Sequence, residues 1–316
     1  MKKNLPSIIL AYLAVYIIWG STYLAISWSV ETIPPYYIVG FRFFVSGLAF
    51  LAIAAAKGGF KLRPGKREYV SAAFLAVFLL LGGNGFISIG ERTVDSYIAA
   101  IIISSTPFCV AFFNRIFFRE KISLPRLGGM IFGLLGVAIL LYDGQKSRFV
   151  FSLDMLFIIL GFLNWGFGTS LSKASYFKVH PDNYVNSGIE WTMAGVAALV
   201  ISGFVYKPLP SLLPTVSVKS WLGLAYLSSI GALGLAAYNY LLKHEPTKRL
   251  VSYAIVNPII AVILGIFIGG EAVLPLLIPG ISVILAGLVL MLYGDEIWNR
   301  IHRKKPDYPS SGVKDR

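Results

Sequence analysis

TPFCVAFFNRIFFRE, from Thr106 to Glu120, and NPIIAVILGIFIGGE, from Asn257 to Glu271, are two versions of one segment, and their correspondence decides the fold. In each, a proline stands second and a glutamate follows it thirteen residues later (Pro107 and Glu120, Pro258 and Glu271). At the same offset Gly129 falls on Gly280 and Gly136 on Gly287. Near the start of each half, Trp19-Gly20 matches Trp165-Gly166 and Pro35 matches Pro181, so the second half restarts near Asp154. Agreement at several positions over such a distance marks an internal repeat.

The chemistry of the repeated unit follows from composition. Of 316 residues, 56% are hydrophobic and only 14% charged, too little polar surface for a soluble chain of this length. A spanning helix takes roughly 20 mostly apolar residues. Stretches of that kind predict helices at about 8–30, 36–56, 70–90, 97–118, 125–142, 153–175, 184–206, 219–242, 250–270 and 274–293. The first follows Lys2 and Lys3 but is too long for a signal peptide, has no small-residue cleavage site and carries Trp19 at its middle, so it reads as a retained helix.

Five helices is an odd number, so the second repeat enters the bilayer from the opposite face. The expected fold is an all-α integral membrane protein of ten transmembrane helices in two inverted five-helix repeats. Residues 1–150 form the first repeat, 151–295 the second and 296–316 a basic cytoplasmic tail. A pseudo-two-fold axis in the membrane plane is a recurring plan of secondary transporters, with substrate handled near the midplane between the halves.

The net charge of +13 is informative through its placement. With the N-terminus in the cytoplasm, Lys57, Lys61, Arg63, Lys66, Arg67, Arg115, Arg119, Lys121, Arg126, Lys173, Lys178, Lys243, Lys248, Arg249 and the tail lie inside. Outside remain only Arg92, Lys146, Arg148, Lys207 and Lys219, with Arg42 inside a helix. That bias sets both termini in the cytoplasm of a cell inner membrane and accounts for the charge without nucleic acid. The tail cluster Arg303, Lys304 and Lys305 needs no role beyond topology, though anionic lipid suits it.

YIIWGSTYLAI (Tyr16 to Ile26), the helix opening from Pro34-Pro35 to Arg42, GGNG (Gly82 to Gly85), the Pro107/Glu120 segment and SYAIVNPIIAVILGIFIGGE (Ser252 to Glu271) together resemble the drug/metabolite transporter superfamily, specifically its EamA-type permeases. The resemblance covers nearly the whole chain in two copies. It implies ten helices, a cytoplasmic N-terminus and export of small metabolites, amino acids or drugs. The second repeat departs from the first in having Gly188 where Arg42 is expected, with Glu190 two positions on.

Ionisable groups within spans cost several kcal/mol on insertion scales and are candidates by default. Arg42 fits a substrate carboxylate or another anion through its guanidinium fork, or else snorkels to the headgroups. Glu190 fits a proton-coupling carboxylate, or an interfacial residue reaching headgroup water. Their expected depths differ, so no direct ion pair between them is predicted. Trp19 and Trp165 lie near the bilayer middle, the wrong depth for an interfacial belt, and either wall a central cavity or fill a gap beside their glycines. Ser21, Thr22, Asn84, Asn164, Tyr238 and Asn239 add polar groups at middle depths, as substrate contacts or as interhelical hydrogen bonds. Tyr253 reaches the same path, Tyr97 suits an outer aromatic belt, and Glu120 and Glu271 read as structural groups at helix ends.

Other classes are poorly served. No G-x-x-x-x-G-K-[ST] is present, since GGFKLRPGK around Lys66 has the wrong spacing. His180, His244 and His302 fall in loops or the tail, and no span carries a catalytic or metal-binding cluster, so no enzyme, metal or cofactor is expected. Cys109 reads as a small core residue. Gly129-x-x-x-Gly133 reads as packing of the fifth helix on the tenth, leaving a monomer or weak homodimer. The expectation is a secondary transporter moving a small-molecule substrate across the lipid bilayer by alternating access, through a cavity lined mainly by helices 1, 2, 3, 6, 7 and 8. A channel-like permease or a carrier of nucleotide sugars or other metabolites is the alternative.

Overall fold

The computed structural model describes residues 5–143, 148–149, 152–245, 247–250 and 252–302. Lys2, Lys3, Lys146 and the tail cluster Arg303, Lys304 and Lys305 lie outside these. The ten apolar helices, labelled in chain order, are α1 (Leu5–Val30), α2 (Pro35–Ala56), α3 (Lys66–Gly90), α4 (Ser96–Phe118), α5 (Leu124–Leu140), α6 (Leu153–Leu171), α7 (Asn183–Val205), α8 (Val218–Ser228 and Ile230–His244), α9 (Tyr253–Phe267) and α10 (Leu277–His302). Eight are long and apolar enough to cross a membrane, while α5 and α9 are shorter apolar helices of 17 and 15 residues. Tyr142–Asp143 and Arg148–Phe149 form a two-residue antiparallel pair between the repeats. The chain is thus an all-helical membrane protein of two inverted five-helix repeats.

Several boundaries differ by a few residues from those expected, the third helix starting at Lys66 and the sixth ending at Leu171, and two of the differences have a visible cause. The ninth span is shorter than 250–270, because the polar segment before it forms a separate turn of helix at Thr247–Leu250. The tenth continues past 293: Asp295 accepts a hydrogen bond from Ser123 at 2.5 Å and pairs with Arg126 at 2.9 Å, so the start of α5 anchors the added turns.

Glycines reveal how the halves join. In α5 and α10, Gly129 and Gly136 face Gly287 and Gly280, and any Cβ there would meet backbone of the partner helix. Their seven-residue spacing keeps each pair on one face, letting the helices approach closely. In α2 and α7, Gly40 lies on Leu199 and Gly188 on Leu51, while Gly47 lies on Thr192 and Gly195 on Phe44. These contacts exchange under a constant offset of 148, so α2 and α7 are symmetry mates that touch each other, as are α5 and α10 at an offset of 151. The pseudo-two-fold axis therefore runs between both pairs.

This register corrects the sequence alignment at Arg42. The position equivalent to Arg42 is Glu190 itself, not Gly188, because the helix starts differ by the same 148 residues: Arg42 lies seven residues beyond Pro35 and Glu190 seven beyond Asn183. Aligning on Pro181 slipped the register, since that proline lies in the loop before α7 whereas Pro35 is already helical.

The symmetry also reaches the helix ends. Arg119, at φ 55°, and Gly270, at φ 67°, occupy equivalent left-handed positions ending α4 and α9. The following glutamate amides close the ends by donating to Asn114 O (3.4 Å) and Gly265 O (3.0 Å). A left-handed arginine is strained where glycine is not. Arg119→Gly is therefore expected to stabilise the protein by about 1 kcal/mol, read as a raised unfolding temperature in micelles.

Candidate functional site

The third helix of each repeat is irregular at mid-length. In α3, residues Ala76–Asn84 are π-helical, and the Asn84 amide donates to Leu79 O at 3.1 Å, meeting one of the carbonyls that the wider turn frees. In α8, the equivalent stretch is interrupted at Ser229. Interrupted helices persist in membranes where they line a cavity or pack against protein, and π turns recur at functional sites.

Each of these third helices meets a tryptophan of the other repeat. A Cβ at Gly83 would collide with the Trp165 indole, and one at Gly234 would lie 2.6 Å from Trp19 Nε1. Gly83 and Gly234 are 151 residues apart, so these are one contact seen twice. Beside them, Gly20 rests on Ile260 and Gly166 on the buried thiol of Cys109, again an equivalent pair. The two indoles make no ring contact with each other among the described residues.

The expected site residues gather into separate groups. Trp19 meets Tyr238 (centroids 5.2 Å) and Tyr253 (5.1 Å, edge-on). On the same helix, Ser21 shares a 2.6 Å hydrogen bond with Tyr226, and the Thr22 hydroxyl donates to Trp19 O. Asn239 is buried and accepts from Asn183 at 3.4 Å, but its own amide nitrogen has no partner. Asn164 donates to Leu160 O at 2.9 Å and lies against Gly82, next to Trp165 on Gly83. Tyr12, Tyr16, Trp19, Tyr23 and Ser27 occupy one face of α1 at helical spacing, with Tyr16 bonded to Ser252 at 2.6 Å. This stripe runs the length of the bundle.

Arg42 and Glu190 are not brought together. They enter from opposite faces, since α2 and α7 are antiparallel, and no ion pair joins them among the described residues. Glu190 is buried with no charged group acting on it, whereas Arg42 interacts electrostatically with Glu91 and Tyr23. Tyr97 does not stand in an interfacial belt: it is fully buried and donates to Ala272 O at 2.7 Å, because the segment after α9 folds over the start of α4. Glu271 caps that start, accepting from the amides of Ser96 (2.9 Å) and Tyr97 (3.3 Å), a structural role at a helix end. Its mate Glu120 pairs with Lys173 at 3.6 Å.

Sequence reading passed over Glu91. It follows the last helical residue of α3 and resembles an ordinary loop glutamate, yet it is only 3% exposed and neither carboxylate oxygen has a hydrogen-bond partner. A weak favourable dipole comes from the Ser27 backbone. Burial first, and then the Glu271 carboxylate, hold Glu91 well above the usual carboxylate range, against the pull of Arg42. It lines a vestibule of about 240 Å³ where α1, α3 and α9 end and α4 and α8 begin, together with Ser27, Glu31, Asp95, Lys219 and Glu271. Lys219 forms an ion pair with Glu31. The only hint in the sequence was an acidic residue abutting an apolar helix, where Leu242 stands in the second repeat.

Asp95, in the loop, is pushed up to about 6 by burial and by Glu271. A carboxylate raised in the fold binds its proton more tightly there than in the unfolded chain, so stability falls as pH rises from about 4 to 6. Asp95→Asn is expected to flatten that part of the stability curve, measured as unfolding temperature against pH.

Ten apolar helices, inverted repeats and irregular third helices facing aromatic side chains define a polytopic membrane protein of the transporter class. The chain belongs to the EamA-like transporter family, whose model matches it twice, at residues 6–142 and 152–293. The "Uncharacterized inner membrane transporter YedA" of Escherichia coli (strain K12) is 32% identical over 286 residues, 90% of each chain. A WAT1-related chloroplastic protein of Arabidopsis thaliana is 24% identical over 283 residues, 87% of this chain and 67% of the relative. A solved structure titled "Crystal structure of protein" shares the fold with a TM-score of 0.63 at 20% identity, covering 94% of this chain and 99% of that one.

Proposed function

We propose that this protein is a secondary transporter that exports small metabolites, such as amino acids or drug-like compounds, across the cell inner membrane by alternating access. The observation that carries the reading is the doubled contact of Trp19 on Gly234 and Trp165 on Gly83, which ties each irregular third helix to the other repeat. Rocking one repeat against the other shifts both contacts together and opens one face while closing the other.

In this account the repeats divide near residue 150, both termini are cytoplasmic, and the Glu91 vestibule opens outward. The α1 stripe with Trp19, Ser21 and Thr22 contacts substrate from one side, with Tyr238 and Asn239. Asn84, Asn164 and Trp165 do so from the other. Arg42 serves anionic substrate groups in the outer half, and Glu190 serves coupling in the inner half. The chain works as a monomer or weak homodimer, without catalysis.

The test is reconstitution in liposomes with a panel of amino acids and organic cations, with and without a pH gradient. Saturable uptake or efflux of at least one compound is expected. Absence of movement for every compound in both directions would overturn the reading.

A further inference from the structure

The vestibule has an asymmetry that the two repeats do not explain. Glu271 is committed to two backbone amides, and Glu31 to Lys219. Glu91 has neither kind of partner, although it is the most deeply buried of the acidic groups lining this space. An unpartnered buried carboxylate beside a like charge is costly in its ionised form, and the smallest change that removes the cost is a proton.

The groups facing Glu91 limit what that proton does. From α1 comes Tyr23, from α2 Arg42, and from the segment after α9 Glu271. Asp95, Arg92 and Lys219 border the same vestibule. Of the cations, Arg42 is the one whose charge acts on Glu91, and no salt bridge joins it to Glu91 or to any other carboxylate among the described residues. The Arg42 guanidinium lies over the ring of Phe43, 4.9 Å from its centroid.

We propose that Glu91 is a proton-binding site coupled to Arg42 through charge, a proton on Glu91 removing the negative charge that opposes an anionic group at the guanidinium. The proton, taken up from water, ends on a carboxylate oxygen of Glu91, and no other bond changes. Proton and anion then bind cooperatively, because each removes a charge that opposes the other. The outward direction of the vestibule rests on the transporter reading; the proton site itself does not.

The experiment is an infrared titration of the purified full chain in liposomes, following the carbonyl stretch of protonated carboxyl groups from acid to alkaline pH. The wild type is expected to keep such a band above the usual carboxylate range, and Glu91→Gln to lose that component. A Glu190→Gln background removes the buried carboxylate of α7 from the signal. Arg42→Gln, which leaves Glu91 in place, should move its midpoint up by about one pH unit or more, and Glu271→Gln should move it down. A band undiminished in Glu91→Gln, or a midpoint unmoved in Arg42→Gln, would overturn the proposal. No substrate is needed, so a protein that titrates in this way but transports nothing would keep the proton site and lose the transporter reading.

Discussion

Gly83→Val is expected to lower stability by about 1–3 kcal/mol or more and to abolish transport, because its Cβ must enter space filled by the Trp165 indole. Overpacking is severe here since the ring is rigid and α3 is already π-helical around the contact. Truncating the ring relieves it, so Gly83→Val with Trp165→Ala should recover much of the lost stability while leaving transport impaired. The symmetry requires the same of Gly234→Val with Trp19→Ala. Gly203→Val, where no heavy atom lies within 4 Å, should change stability by less than about 0.5 kcal/mol. Unfolding in micelles and uptake into liposomes measure the two effects separately. Equal losses at Gly83 and Gly203 would contradict the packing argument.

The other large effect concerns charge. Arg42→Ala removes the cation whose charge favours the ionised form of the buried Glu91, without a salt bridge between the two, so the protein is expected to lose stability wherever Glu91 is ionised. The loss should be greatest at alkaline pH, where Glu91 is ionised, and shrink toward acid. Adding Glu91→Gln to Arg42→Ala should return most of the stability, a coupling that a double-mutant cycle reads directly. Purely additive losses would show that the two groups act independently.

Much of this molecule was legible from one sequence because the bilayer constrains it so tightly. Apolar length marked the spans, the odd number of helices per repeat inverted them, and Pro107/Glu120 against Pro258/Glu271 gave the offset that the α5–α10 contact obeys. Placement in three dimensions was less accessible. The true partner of Arg42 in the repeat, Glu190, was missed because a proline in a loop was aligned with one inside a helix. Tyr97 and Glu91 look like boundary residues by position, yet both are buried, Tyr97 by the segment after α9 folding over the start of α4. Hydropathy records what a residue prefers, not which neighbour covers it. The Trp19 and Trp165 pair was visible, whereas the glycines beneath them, Gly234 and Gly83, acquire meaning only from the contact.

Under the proposed alternating access, two inverted repeats rock about a shared site, opening it to one side at a time. Counterflow tests it most directly: liposomes holding the protein are loaded with an unlabelled transported compound, diluted, and given a trace of the labelled form outside. Alternating access predicts transient accumulation of label above its equilibrium level, saturating with internal concentration. Label that only equilibrates, at a rate indifferent to what is inside, would mean an open pore and would contradict the account.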